Sequence, residues 1–145
     1  MTYGFIERFV EVERKLADLE RRARNRRRTG VVTVVDTAKG LARVKIGDGE
    51  RPFISPWVPW KEIAAGGIKS HIPPTVGQQV DIVSESGDLT DGVIDFSTPS
   101  DANPRPHDGA DAVITKGSVR LFISDSEVKV DAPAIVFTAS NGSLS

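Results

Sequence analysis

The sequence predicts a mostly β chain in three parts: an N-terminal α-helix, a small β-barrel and a C-terminal ribbon of very short strands. Three observations carry this reading. Apolar residues recur at helical spacing over residues 2–27, the period changes to that of strands from residue 30, and a Pro-rich stretch separates two strand-rich regions. The expected parts are 1–28, 30–97 and 111–145, joined by a linker at 98–110.

In the first part, Phe5, Phe9, Val12, Leu16, Leu19 and Ala23 are spaced alternately by four and three, a heptad seam. With Phe9, Leu16 and Ala23 at a, the d positions are Phe5, Val12 and Leu19. The g residues Arg8 and Lys15 then face Glu13 and Glu20 at e of a parallel neighbour, with opposite signs both times. Glu11–Lys15, Asp18–Arg22 and Glu20–Arg24 are i,i+4 pairs with the acid first, the more favourable order. A short parallel coiled coil fits this pattern, and so does one amphipathic helix lying on another protein. A membrane-surface helix fits poorly, because acids alternate with bases along the polar side.

The helix is expected to run into Arg21-Arg22-Ala23-Arg24-Asn25-Arg26-Arg27-Arg28. Cations at a helix C-terminus favour the macrodipole, yet six arginines in eight residues form a patch beyond that need. It reads either as a solvated helix end or as a contact for nucleic acid or an acidic protein. The chain has a net charge of only −1, but residues 1–28 hold nine Lys/Arg against five Asp/Glu. Residues 30–97 hold six against nine, so the basic excess is confined to the N-terminal part.

Within 30–97, Gly30–Asp36 and Leu41–Ile46 are β-rich runs around a Lys39-Gly40 turn. The second alternates, with Val44 and Ile46 on one face and Arg43 and Lys45 on the other. Gly47-Asp48-Gly49 signals a turn, and shorter strands follow at Pro52–Ile54, Gln79–Val83 and Gly92–Phe96. About five short strands in so few residues point to a closed barrel of OB type, whose closure removes free sheet edges.

Residues 97–109 carry three prolines and no apolar pattern, which marks a linker. Beyond it, Val113/Ile114, Val119/Leu121/Ile123, Val128/Val130 and Ile135/Phe137 read as very short strands. They are separated by Lys116-Gly117-Ser118, Asp125-Ser126 and Ala132-Pro133. So thin a ribbon cannot bury its own apolar residues against the entropy of ordering it. An intertwined trimeric β-helix or prism, with apolar faces turned to a common axis, satisfies this requirement. The expected trimer interface is therefore Phe5, Phe9, Val12, Leu16 and Leu19 in the helix. In the ribbon it is Val119, Leu121, Ile123, Val128, Val130, Ile135 and Phe137.

Three stretches of the middle part resemble the baseplate assembly protein V family of contractile phage tails, related to the core spike of type VI secretion. Gly40-Leu41-Ala42-Arg43-Val44-Lys45-Ile46 is similar to the family's opening strand, and Ser55-Pro56-Trp57-Val58-Pro59 to its Ser-Pro-Trp signature. Ile72-Pro73-Pro74-Thr75-Val76-Gly77-Gln78-Gln79-Val80, with Gly87-Asp88 and Gly92-Val93-Ile94, is similar to its Pro-x-x-Gly-x-x-Val and Gly-Asp stretches. The resemblance implies an OB domain beneath a baseplate hub protein, continuing into a trimeric needle that contacts and pierces a host envelope. It also implies a virion component assembled in the host cytoplasm. Some members carry a lysozyme domain between barrel and needle, where this chain has its Pro-rich linker. Several close their tip with a His-x-His iron apex, whereas the two histidines here are His71 and His107. A separate small spike-tip protein, pairing near Ile135 and Phe137 with Leu144 beside it, is therefore expected, the alternative being that Leu144 from three chains closes the end unaided.

Enzymatic chemistry finds little support. Asp88 with Asp91, and Asp108 with Asp111, flank turn signals where Asp bonds to backbone. There is no nucleophile motif and no phosphate-cradling loop, and the absence of cysteine excludes disulfides and thiolate metal sites. No metal, cofactor or small-molecule substrate is expected. Trp57 and Trp60 can stack bases, as OB domains often do, but the barrel is acidic. An OB-fold nucleic-acid-binding protein using Arg21–Arg28 is thus the alternative reading, with phosphate binding disfavoured. No apolar run approaches the ~18–20 residues that span a bilayer. Met1 leads straight into the charged residues Glu7 and Arg8, so no signal peptide is expected.

Overall fold

The computed structural model describes residues 2–142 of the 145. They fall into two compact units, divided between Asn103 and Pro104.

The first unit begins with α1, Thr2–Arg24. The helix stops short of the expected residue 27, because Arg27 and Arg28 already belong to a strand. Its turn closes with the Asn25 N–H shared between the Arg21 and Arg22 carbonyls at 3.1 and 3.2 Å. Two of the acid-first pairs form: Lys15 lies 3.5 Å from Glu11, and Arg22 lies 3.1 Å from Asp18. Glu20 and Arg24 form no ion pair among the described residues.

Six strands follow: β1 (Arg27–Asp36), β2 (Leu41–Ile46), β3 (Phe53–Ile54), β4 (Val58–Pro59), β5 (Gln79–Val83) and β6 (Val93–Ser97). All their ladders are antiparallel, in the order β3-β2-β1-β5-β6, with β4 also on β2. The ladders form an open sheet whose ends meet at one point. There Trp60 bridges Ile94 of β6, and the Lys61 N–H donates to the Ile94 carbonyl at 2.8 Å. Strand β4 lies inside the aromatic stretch, where two prolines hide its period. β1 is longer than its apolar run because it starts in the arginines. Its register on β2 shifts between Val32 and Val34, a bulge that bends a strand serving two neighbours.

One face of β1, β2, β4, β5 and β6 supplies the core: Val32, Ala42, Val44, Ile46, Val58, Val80, Ile82 and Ile94, joined by Leu89 from a 3-10 turn at Leu89–Asp91. In β2 the alternation is complete, with Ala42, Val44 and Ile46 buried and Leu41, Arg43 and Lys45 partly exposed. Ser55 is fully buried within this apolar setting, which is tolerable only because it is bonded. Its N–H donates to the Val44 carbonyl at 2.8 Å, and its Oγ accepts from the Val44 N–H at 2.9 Å. Ser55 Oγ donates in turn to the Pro56 carbonyl at 2.9 Å. The serine of the Ser-Pro-Trp stretch thus replaces a strand partner for β2 just where β3 ends.

The long connection between β4 and β5 is organised by Glu62. Its carboxylate accepts from Trp60 Nε1 at 2.8 Å, Ser70 Oγ at 3.0 Å and the Ile72 N–H at 2.6 Å. The proline stretch after β6 is less free than a linker should be. Ser100 and Asn103 exchange backbone bonds of 3.1 Å, and Asn103 Nδ2 donates to the Gly77 carbonyl at 3.1 Å. A side-chain amide, invisible to an apolar pattern, ties residues 98–103 to the barrel.

The second unit contains a three-stranded antiparallel sheet: β7 (Ala112–Lys116), β8 (Val119–Ile123) and β9 (Val128–Asp131). β7 and β8 are joined by the two-residue turn Gly117-Ser118, where Gly117 takes a φ of +57°. Ile135–Ala139, expected as a further strand, lies outside any strand here, since no neighbouring strand of the single chain reaches it.

Gly30 sits where β1 and β2 press closest: a Cβ there would lie 2.5 Å from Val44 Cγ1 and 2.6 Å from the Lys45 carbonyl oxygen. Gly30→Ala is expected to destabilise the barrel by about 1–3 kcal/mol. Gly66→Ala, at a glycine with open space around it, should leave the urea midpoint unchanged. The Ile72 N–H, aided by Trp60 and Ser70, holds the Glu62 carboxyl below the usual carboxylate range. A depressed folded-state pKa contributes stability that is present above the unfolded pKa and lost as pH falls through the folded one. Thermal melts should therefore show the wild type losing stability in that acid window, with a flatter profile for Glu62→Gln.

Candidate functional site

None of the described residues brings together a catalytic constellation; what the structure presents is a set of unpartnered surfaces. The first is the seam of α1. Phe5, Phe9, Val12, Leu16 and Leu19 are all exposed, Phe5 to 72%, and the helix meets the barrel only around its last turn. A single helix of this length is marginal in water without a packed face.

The second surface is one face of the C-terminal sheet. Strand register sets Ile114 beside Leu121 and Leu121 beside Val130, with Ile123 beside Val128. Together with Val119 these form a continuous aliphatic face, on which Leu121 is half-buried and the others are exposed, Val128 to 69%. The opposite face carries Val113, Arg120 and Phe122, and the chain covers part of it with His107. The His107 ring meets Phe122 edge-on at 5.8 Å, and its Nδ1 lies 3.3 Å from Arg120 Nη2. No described residue of this unit is fully buried. Ile135 and Phe137 are 52% and 74% exposed. Leu144 lies outside the described residues.

The arginine run does not act as one patch. Arg21 and Arg22 both pair with Asp18, and Arg28 Nη1 donates to Asn25 Oδ1 at 2.9 Å. Arg27 has crossed onto the barrel, 2.6 Å from Asp81 and 3.4 Å from Asp95, with Lys61 3.8 Å from the same Asp95. Sequence reasoning missed this division, although the acids of β5 and β6 stand at the register positions that would have signalled it: Arg27 is opposite Val83, two residues from Asp81.

Two of the carboxylates weighed for catalysis, Asp88 and Asp91, are engaged in local hydrogen bonds around the 3-10 turn. Asp88 caps the 3-10 turn, accepting from the Thr90 N–H at 3.0 Å, which is the main reason its carboxyl sits below the usual range. Asp91 accepts from Ser84 at 2.5 Å and from Ser86 at 2.6 Å, bonds that depress it likewise. Trp60 packs partly against the core with His71 tilted 6.0 Å from it, while Trp57 is 44% exposed.

Comparison with known proteins fits this architecture. Residues 28–97 match the family described as the type VI secretion system/phage-baseplate injector OB domain. Over 98 residues the chain is 32% identical to a spike protein of Escherichia phage P2. That stretch covers 68% of this chain and 44% of the phage P2 protein, so the chain spans less than half of its relative's length. The matched segment coincides with the six-stranded sheet and its Ser55 anchor, and over residues 28–97 the chain belongs to the phage-baseplate and type VI secretion injector OB-domain family.

Proposed function

We propose that this chain is a structural, non-enzymatic spike of a contractile tail, working as a homotrimer. In this reading it sits in the virion baseplate, is held to a hub protein through its N-terminal part, and carries force through its C-terminal part to a host envelope. The observation that carries the reading is the C-terminal sheet: a continuous aliphatic face in a unit with no fully buried residue among those described, downstream of an injector OB domain. Such a sheet does not persist alone in water, because its ordering entropy is not offset by burial. Copies of itself, wound round a common axis, supply the missing cover without any second gene product. The α1 seam adds a second self-complementary surface at the other end of the chain, and its heptad spacing favours parallel copies. The count of three rests on the resemblance to baseplate spikes.

Light scattering on the purified protein should return about three times the 15.7 kDa chain mass at micromolar concentration; a monomer overturns the reading. Leu121→Asp and Val130→Asp, neighbours across β8 and β9, place like charges around the axis and should abolish assembly while leaving the barrel's melting transition in place.

Because Arg27 and Arg28 are part of β1, attachment is best tested by removing residues 1–24. The truncated chain is expected to remain a folded trimer and to fail to enter tails in a complementation assay. Normal incorporation would show that the helix is not the attachment point.

A further inference from the structure

The end of α1 and the neighbouring barrel turns enclose an open groove of about 650 Å³. Arg21, Arg22 and Arg28 stand along it, and Ile46, Phe53 and Leu89 lie at its base. Ile46 and Leu89 are buried, whereas Phe53 keeps 46% of its surface in solvent. The groove is built by the fold and does not depend on a loose tail. The Ser84 N–H donates to the Arg26 carbonyl at 2.8 Å, pinning the segment just after the helix. Gly87, at a φ of +79°, lets the helix end come so near that a Cβ there would lie 2.3 Å from the Arg22 carbonyl oxygen.

Charge and shape together define what fits. Three guanidinium groups face one carboxylate in the groove, Asp88, which is already committed to the Thr90 N–H. Asp18 pairs with Arg21 and Arg22 from outside, yet both arginines keep more than half of their side-chain surface exposed. Beyond the Arg21 Nη2 and Arg22 Nε bonds to Asp18, their remaining donors can take carboxylates from a partner, for which the planar fork is well suited. A half-exposed aromatic lining the groove with two buried aliphatics is the kind of surface on which an apolar anchor residue rests. A nucleic-acid backbone fits less well. It carries no apolar anchor, and beyond the groove it would run along a barrel with nine acids against six bases over residues 30–97.

We infer that this groove docks an acidic protein segment bearing an apolar anchor, and that this is how the N-terminal part of the chain grips its partner. The inference rests on the reading that residues 1–28 face a partner protein, and it adds the partner's chemistry. The probe is a fluorescent peptide of glutamates around a central Phe-Leu pair, titrated by anisotropy into the full-length protein, with a random-sequence DNA duplex in parallel. Wild type should bind the peptide, more weakly as salt rises. Arg21→Glu and Phe53→Ser should each weaken binding about tenfold or more. Arg24→Glu makes the same charge change outside the groove and should weaken it far less. Gly87→Ala keeps every arginine but displaces the helix end, and should also weaken binding. No peptide binding, equal losses for Arg21→Glu and Arg24→Glu, or tighter binding of the duplex would each overturn the proposal. Light scattering on the same samples separates the two readings. A trimer that ignores the peptide overturns the groove alone, and a monomer that binds it overturns the trimer alone.

Discussion

Among the described residues, full apolar burial is confined to one place. Nine residues between Val32 and Ile94 form the core of the six-stranded sheet, and the apolar residues on either side of that stretch are exposed or at most half-buried. Burial at roughly 25 cal/mol per Å² is what offsets chain ordering, so the barrel is the part of the chain that is self-sufficient. The helix before it and the sheet after it are regular in backbone but lack cover. Every functional expectation for the protein follows from that imbalance, since exposed apolar faces of this extent mark contact surfaces.

The barrel itself was largely legible in the sequence because its strands are half-buried and alternate. In β2, Ala42, Val44 and Ile46 turn inward as the pattern requires, and Gln79–Val83 emerges with the bounds its apolar run suggests. What escaped was structure held by polar side chains. Ser55, Glu62 and Asn103 each replace a strand or turn bond with a side-chain bond, and no hydrophobic period records such substitutions. β4 was hidden for a related reason: Val58-Pro59 is a two-residue strand between prolines, too short to show any period.

The arginine run shows how composition can mislead about surfaces. Read as a string, Arg21–Arg28 is a single cationic block at a helix end. In the fold, the helix stops at Arg24 and β1 starts at Arg27, so consecutive arginines point into different surroundings. Arg27 is absorbed by Asp81 and Asp95 on the barrel, while Arg21 and Arg22 stay with the helix. Exposed ion pairs of this kind contribute little stability; their consequence is to divide the charge between two faces. The acidic character of the barrel, visible in the sequence as a net excess, turns out to act locally as a counter-charge for one residue of the run.

The two faces of the C-terminal sheet differ enough to decide which of them can serve as a common interface. Alternation sends Ile114, Leu121, Ile123, Val128 and Val130 to one side and Val113, Arg120 and Phe122 to the other. The second side is already engaged by its own chain. His107 stacks edge-on against Phe122, and the Arg120 guanidinium lies beside both, with its Cζ 5.9 Å from the Phe122 ring and its Nε buried without a partner among the described residues. Turning that side inward around an axis would strand three guanidinium groups in a desolvated centre, which is far more costly than leaving them at a wet surface. Turning the aliphatic side inward removes mainly apolar atoms from water, since the charged residue on that side, Lys116 opposite Val119, stands at the end of the sheet beside the turn. Strand period and the placement of one histidine therefore fix the polarity of the sheet before any partner arrives. The register that pairs Leu121 with Val130 keeps that polarity intact, because a slip of one residue would send Arg120 and Phe122 to the aliphatic side.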